Sequence, residues 1–233
     1  MTVPTADPSL PRCVVFDLDG TLVDTAPDLT LATNHVLGLA GRPAVDIDTV
    51  KDMVGLGARK LIERGLAHTG GGTPEQVEDL LPAFLDFYGR NLCVGSRPFE
   101  GVETQLQALR EAGIALGVCT NKPVGLSVAL IDALGWAGYF GVNLGGDSLE
   151  VRKPDPRHLL ETIARLGEAP AASVMVGDSP VDVAAARAAR VPVVAVSFGF
   201  TPVPPAELGA DVLIDHYDTL QPALVTANRG RRG

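Results

Sequence analysis

The sequence predicts an α/β protein: a doubly wound parallel sheet carrying a small, all-helical cap inserted after its first strand. Three observations carry that expectation. Short apolar runs ended by acidic or turn residues recur along the chain, as strands buried on both faces require. Single helical patterns separate them, the alternation of a parallel sheet. From about Asp24 to Leu92 the alternation stops and only helical patterns remain.

The first strand is expected in Cys13-Val14-Val15-Phe16, closed by Asp17-Leu18-Asp19-Gly20-Thr21. Helices follow at Leu29 to Leu39, Ile47 to Val54, Ala58 to Leu66 and Glu75 to Leu92, joined by Gly55-Leu56-Gly57 and Gly70-Gly71-Gly72. Pro82 is expected to kink or split the last of them, because proline removes a helical N–H. Pro98-Phe99-Glu100-Gly101 reads as the return hinge. Val102, Leu106 and Leu109 then mark a helix, and Ile114 to Cys119 a strand that ends in Thr120-Asn121. Leu126, Leu130 and Ile131 mark the next helix, Val142 to Gly146 a weaker strand, and Leu159, Ile163 and Leu166 another helix. Ser173 to Val176 is a strand ending in Gly177-Asp178-Ser179, and the Ala-rich stretch Val181 to Ala189 is helical. Pro192 to Val196 is a strand ended by Ser197-Phe198-Gly199, and Asp211 to Ile214 a weaker one. These signals place a core at 12–23 and 96–220, a cap at 24–95, and flexible termini at 1–11 and 221–233.

With 233 residues, 46% hydrophobic and 20% charged, the chain suits one globular core with an insertion. A net charge of −9 argues against a nucleic-acid binder that neutralises phosphates. Cys13, Cys93 and Cys119 are odd in number and far apart, so neither a disulfide framework nor a zinc site is expected. Cys119 lies in an apolar run and reads as a buried, inert thiol. The N-terminal stretch has no signal-like apolar segment, and no apolar run approaches the ~20 residues that cross a bilayer. A cytoplasmic protein with no membrane partner is expected.

Asp17 and Asp19 stand two apart, so an extended chain projects both carboxylates to one side. Asp178 ends another strand, and Asp182 follows four residues later. If these ends converge, like charges about 4 Å apart repel by roughly 4 kcal/mol per pair at an effective dielectric near 20. A positive group must sit among them: Mg²⁺, which prefers oxygen ligands, or Lys153. Taken singly, each residue has a plainer reading. Asp182 suits position N3 of a helix that Ser179 caps and Pro180 begins, Thr120 suits a cap before Pro123, and Lys153 suits an ordinary surface. Thr21 on its own reads as bonding the turn backbone.

Four segments taken together resemble the haloacid dehalogenase superfamily in its Mg²⁺-dependent phosphatase branch. They are Asp17-Leu18-Asp19-Gly20-Thr21-Leu22-Val23-Asp24-Thr25, Val118-Cys119-Thr120-Asn121-Lys122, Arg152-Lys153-Pro154-Asp155-Pro156 and Val176-Gly177-Asp178-Ser179-Pro180-Val181-Asp182. They stand in the family's order, each at an expected strand end or helix start. The resemblance implies a Rossmann-like core and a defined set of roles. Asp17 is the nucleophile that becomes an aspartyl-phosphate, and Asp19 the general acid and base. Mg²⁺ is held by the carboxylates of Asp17 and Asp178 and the backbone carbonyl of Asp19, with Asp182 orienting them. Thr120, Asn121 and Lys153 hold the phosphoryl oxygens.

Substrate choice then falls to the cap. The stretch Met53-Val54-Gly55-Leu56-Gly57-Ala58-Arg59-Lys60-Leu61 is similar to bacterial phosphoglycolate phosphatases, which implies a small phosphorylated metabolite, 2-phosphoglycolate, as partner. Arg59 either forks that substrate's carboxylate or lies on a solvated helix face. The alternatives are a phosphatase for another small metabolite, a phosphomutase of the β-phosphoglucomutase kind, and a non-catalytic regulatory protein. A dehalogenase is disfavoured, because that branch lacks the second aspartate and Asp19 is present. No nucleic-acid partner is expected, and the chain is expected to act as a monomer or homodimer.

Overall fold

The structure, a computed structural model, describes residues 9–230. The expected flexible ends at 1–8 and 231–233 lie outside the described residues. The chain opens with β1 (Cys13–Phe16), four apolar residues with no exposure on either face. After the Asp17 to Thr21 turn it forms the two-residue β2 (Val23–Asp24) and enters the helices α1 (Ala26–Leu39), α2 (Ile47–Lys51), α3 (Ala58–His68) and α4 (Pro74–Arg90). It returns through β3 (Arg97–Pro98), which pairs antiparallel with β2. Both crossings between sheet and helical block thus lie side by side. Asp28 clamps them, accepting from the Gly95 N–H at 2.7 Å, the Ser96 N–H at 2.9 Å and the Ser96 hydroxyl at 2.6 Å.

The remainder alternates: α5 (Val102–Glu111), β4 (Ala115–Cys119), α6 (Val124–Ala133), β5 (Val142–Leu144), α7 (Pro156–Arg165), β6 (Ser173–Gly177), α8 (Pro180–Ala188), β7 (Val193–Val196), β8 (Val212–Ile214) and α9 (Leu220–Arg229). The sheet order is β5-β4-β1-β6-β7-β8, parallel throughout. Strand periodicity divides the core. Val14 and Phe16 pack into one layer with Leu106, Trp136 and Tyr217, while Cys13 and Val15 pack into the other with Leu159, Ile163 and Met175. The helical block has a core of its own, including Leu29, Val36, Ile62, Leu66, Phe84 and Tyr88.

The topology fixes where a ligand belongs. From β1 the chain fills one side through β4 and β5, then recrosses to fill the other from β6 onward, so the winding reverses at β1. Phe16 is level with Val118 and Val176, which brings Asp17, Thr120 and Asp178 to one edge.

Two local expectations are corrected. Pro82 does not split α4, which runs unbroken over Pro74–Arg90. Pro82 is exposed, and Val77, Phe84 and Tyr88 hold the helix in the block's core on either side of it. Residues 221–229 are not a flexible terminus but most of α9. Leu220, Ala223, Leu224 and Ala227 recur at helical spacing and are 0–5% exposed, so the apolar face outweighs the polar, glycine-bearing end that suggested fraying. The Asn228 amide also donates to the Ser9 carbonyl at 3.0 Å, tying the helix end to the start of the chain. Among the described residues, no helix is long and apolar enough to cross a membrane.

Candidate active site

Six of the expected residues rise from three adjacent strand ends and the segment before α7. Asp17 and Asp19 follow β1, Thr120 and Asn121 follow β4, and Asp178 follows β6. Lys153 comes from the segment before α7, reaching Asp17 Oδ1 at 2.9 Å and Asp182 Oδ1 at 2.7 Å, with its side chain fully buried. Asp182 completes the group from α8. Its Oδ2 accepts from the N–H groups of Asp178 and Ser179 at 3.2 and 3.0 Å and from the Ser179 hydroxyl. Asp182 therefore acts as the helix-capping acid and as a brace for Asp178 at once.

Asp178 is held from both sides. The Thr21 hydroxyl donates to its Oδ1 at 2.8 Å, and the Phe200 N–H to its Oδ2 at 2.6 Å. Thr21, read from sequence as a turn residue, thus reaches across the sheet. Gly199 permits the approach of the Phe200 loop, since a Cβ there would collide with the Asp178 side chain. Asp17 Oδ1 accepts from the Leu18 N–H at 2.7 Å as well as from Lys153. Among the described residues no protein donor reaches Asp17 Oδ2.

Thr120 is buried, and its hydroxyl accepts from the Lys122 N–H at 3.2 Å. The Asn121 amide donates at 3.0 Å both to the Gly55 carbonyl of the helical block and to the Lys153 carbonyl. The Asn121 side chain therefore ties block to core. Lys122, to which the sequence reading assigned no role, is buried against Asp19 Oδ1 at 2.9 Å and the Tyr88 hydroxyl of α4 at 2.6 Å. Its ammonium also lies 4.3 Å from the Tyr88 ring centroid. Position two after Thr120 was the available signal for Lys122; Tyr88 looked like any core aromatic on an amphipathic helix.

Arg59 is the exception. It does not face the cavity; its guanidinium pairs with Glu78 on the outside of the helical block, leaving the side chain 46% exposed. Of the two readings of Arg59, the structure shows the solvated helix face, in an ion pair within the block, because the first turn of α3 projects residue 59 toward α4.

The electrostatics follow from burial. Asp17 is pushed up to about 6 by desolvation, opposed by Lys153 and reinforced by Asp182 and Asp19. Desolvation, then Asp182 and Asp17, carry Asp178 well above the ordinary carboxylate range. Burial alone would lower Lys153, but Asp17 and Asp182 more than offset it and hold the ammonium charged. Burial pushes the Cys119 thiol up to about 12, which keeps it inert. Four carboxyl groups, Asp17, Asp19, Asp178 and Asp182, face two ammonium groups, Lys122 and Lys153, so ionising all four would leave two negative charges uncompensated. Asp17, Asp178 and Asp182 each place one oxygen within 4.8 Å of the others. An all-oxygen set with that deficit fits a hard divalent cation.

Above the carboxylates lies a cavity of about 40 Å³. Its floor is Asp17, Asp19, Thr120, Asn121 and Lys122; its roof is apolar, with Leu29, Val54, Ala58, Leu61 and Phe84 from the helical block. The site is thus a charged floor under a lid with little polar surface.

Comparison with known proteins agrees with this geometry. The family model for haloacid dehalogenase-like hydrolases matches residues 11–190. A phosphoglycolate phosphatase of Agrobacterium fabrum is 46% identical over 211 residues, covering 90% of this chain and 91% of its own. One from Caulobacter vibrioides is 44% identical over 214 residues, with 91% and 90% covered. The crystal structure of a predicted phosphoglycolate phosphatase from Haemophilus somnus 129pt superposes with a TM-score of 0.86 at 32% identity, covering 91% of this chain and 97% of that one.

Proposed function

Because the chain belongs to the haloacid dehalogenase-like hydrolases and is a phosphatase of that family, we propose that it hydrolyses 2-phosphoglycolate to glycolate and phosphate. The reaction passes through an aspartyl-phosphate on Asp17 and uses Mg²⁺. One observation carries this reading: among the described residues, four carboxyl groups converge with two lysines at the winding reversal of the sheet.

Asp17 attacks phosphorus through Oδ2, the oxygen that no donor among the described residues occupies, while Lys153 and the Leu18 N–H fix Oδ1. The phosphorus–oxygen bond to the alcohol breaks, and Asp19 supplies the proton that the leaving oxygen takes. Asp19, now a carboxylate beside Lys122, removes a proton from water. That water displaces phosphate from Asp17 as the Asp17–phosphorus bond breaks, and the one proton it gave up leaves Asp19 protonated for the next turnover. Thr120, the Asn121 backbone and Lys153 hold the phosphoryl oxygens, where charge spreads in the transition state. The carboxylates of Asp17 and Asp178 and the Asp19 carbonyl would hold Mg²⁺, whose bound charge offsets that of the phosphoryl oxygens. Asp182 has both oxygens committed to protein donors, so it orients the others.

The relatives' names point to phosphoglycolate. The test is phosphate release from a panel of phosphorylated metabolites. 2-Phosphoglycolate should give the highest kcat/KM, with activity lost in EDTA and restored by Mg²⁺. Undiminished turnover after exhaustive chelation rejects the metal; a different preferred ester rejects the substrate.

A further inference from the structure

Among the described residues that line the cavity, Lys122 alone carries positive charge. Its ammonium group has three N–H donors, of which Asp19 takes one and the Tyr88 hydroxyl another. No acceptor among the described residues meets the third. Lys153, by contrast, is held between Asp17 and Asp182 and is committed to the phosphoryl oxygens. Arg59 is outside, paired with Glu78.

We propose that Lys122, positioned by Tyr88, binds a carboxylate on the leaving-group side of the substrate and is the residue that selects for it. The inference rests on the phosphatase reading above and adds the recognition element that Arg59 does not provide. Its geometry follows from the reaction. A leaving oxygen must come within hydrogen-bond reach of Asp19 to take its proton. Lys122 Nζ sits 2.9 Å from that same carboxylate, so a group one carbon beyond the leaving oxygen falls next to the ammonium. The lining also includes Leu29, Leu61 and Phe84, against which an unpaired carboxylate would be costly to desolvate.

Tyr88 makes the cap a participant without lending it a charge. The side chain is 1% exposed, its hydroxyl is 2.6 Å from Nζ, and its ring lies under the ammonium. A flexible lysine is thereby held in one direction before substrate arrives, which lowers the ordering cost of binding. Tyr88 is a positioning residue; Lys122 is the one that touches substrate.

The experiment compares kcat/KM for 2-phosphoglycolate with that for ethyl phosphate, which keeps the two-carbon ester and lacks the carboxylate. Wild type should prefer 2-phosphoglycolate, and Lys122→Met should cut that preference by about 10–100-fold, chiefly through KM. Lys122→Arg should recover part of it. Tyr88→Phe, which keeps the ring, should cut the preference several-fold. Equal losses on both esters in Lys122→Met would mean that Lys122 serves only Asp19, and the inference falls. If Lys122→Met does not fold, Tyr88→Phe decides alone, and an unchanged preference overturns the proposal. A wild type that cleaves both esters equally well overturns it too while leaving the hydrolase reading intact; one that cleaves neither defeats the proposed function itself.

Discussion

The Thr21 hydroxyl donates to Asp178 Oδ1 at 2.8 Å, joining residues 157 positions apart across the central strand pair. The turn after β1 and the end of β6 are thus one unit, and Asp178 cannot turn away while Thr21 stands. Partners that orient a metal-binding carboxylate typically account for about 10–100-fold in affinity. Thr21→Val should weaken Mg²⁺ activation by that factor, and Thr21→Ser should restore it. The check is a Mg²⁺ titration of turnover; an unshifted midpoint in Thr21→Val removes this role.

Asp17→Asn keeps the side-chain shape and its bond from Leu18 but replaces the oxygen proposed to attack phosphorus by an amide nitrogen. Turnover of phosphate esters should fall by ~10³-fold or more, the scale of losing a nucleophile. The fold should persist, because Lys153 retains Asp182 at 2.7 Å. Near-normal kcat in a folded Asp17→Asn protein excludes Asp17 as nucleophile.

The parts of this site that were legible in the sequence are those written locally. A strand run ended by Asp17-Leu18-Asp19-Gly20 announces where carboxylates leave a sheet, and parallel winding brings such ends together. The contacts of Lys122 were illegible for a physical reason. Its partners Asp19 and Tyr88 lie 103 and 34 residues away on separate elements, and a buried tyrosine on an amphipathic helix carries no mark of its hydroxyl's partner. Arg59 was ambiguous in the sequence: a cation two residues after Gly57 suits a ligand or a solvated face, and its direction is set by Glu78 one helix later. The tail misled because Arg229 and Gly230 weigh on composition, whereas burial is decided by Leu220, Ala223, Leu224 and Ala227.

α9 accordingly contributes to stability. Leu224 is 0% exposed in the layer that covers the sheet face above Val194 and Val196. Leu224→Ala should destabilise the protein by about 2–5 kcal/mol, measured by urea unfolding, with kcat unchanged at temperatures where the variant remains folded. A frayed tail would show less than ~0.5 kcal/mol, as for a surface substitution.

The buried carboxylates also set a pH dependence in metal-free protein. Asp17 rises from an ordinary 3.8 to about 6, so the folded state holds this proton more tightly than the unfolded one. The contribution to stability is therefore complete below 3.8 and lost as pH rises through about 6. A shift of about two units at ~1.4 kcal/mol per unit amounts to ~3 kcal/mol against folding at neutral pH. Asp17→Asn cannot ionise there. In EDTA its stability relative to wild type should be nearly equal at about pH 4 and greater by up to ~3 kcal/mol at about pH 7.5. Saturating Mg²⁺ should then stabilise wild type more than the variant, since the cation supplies the missing positive charge. Urea unfolding across that range is the measurement. A difference that stays flat from acid to neutral pH would show that Asp17 is not strained by burial, and with it would go the electrostatic case for a cation at this site.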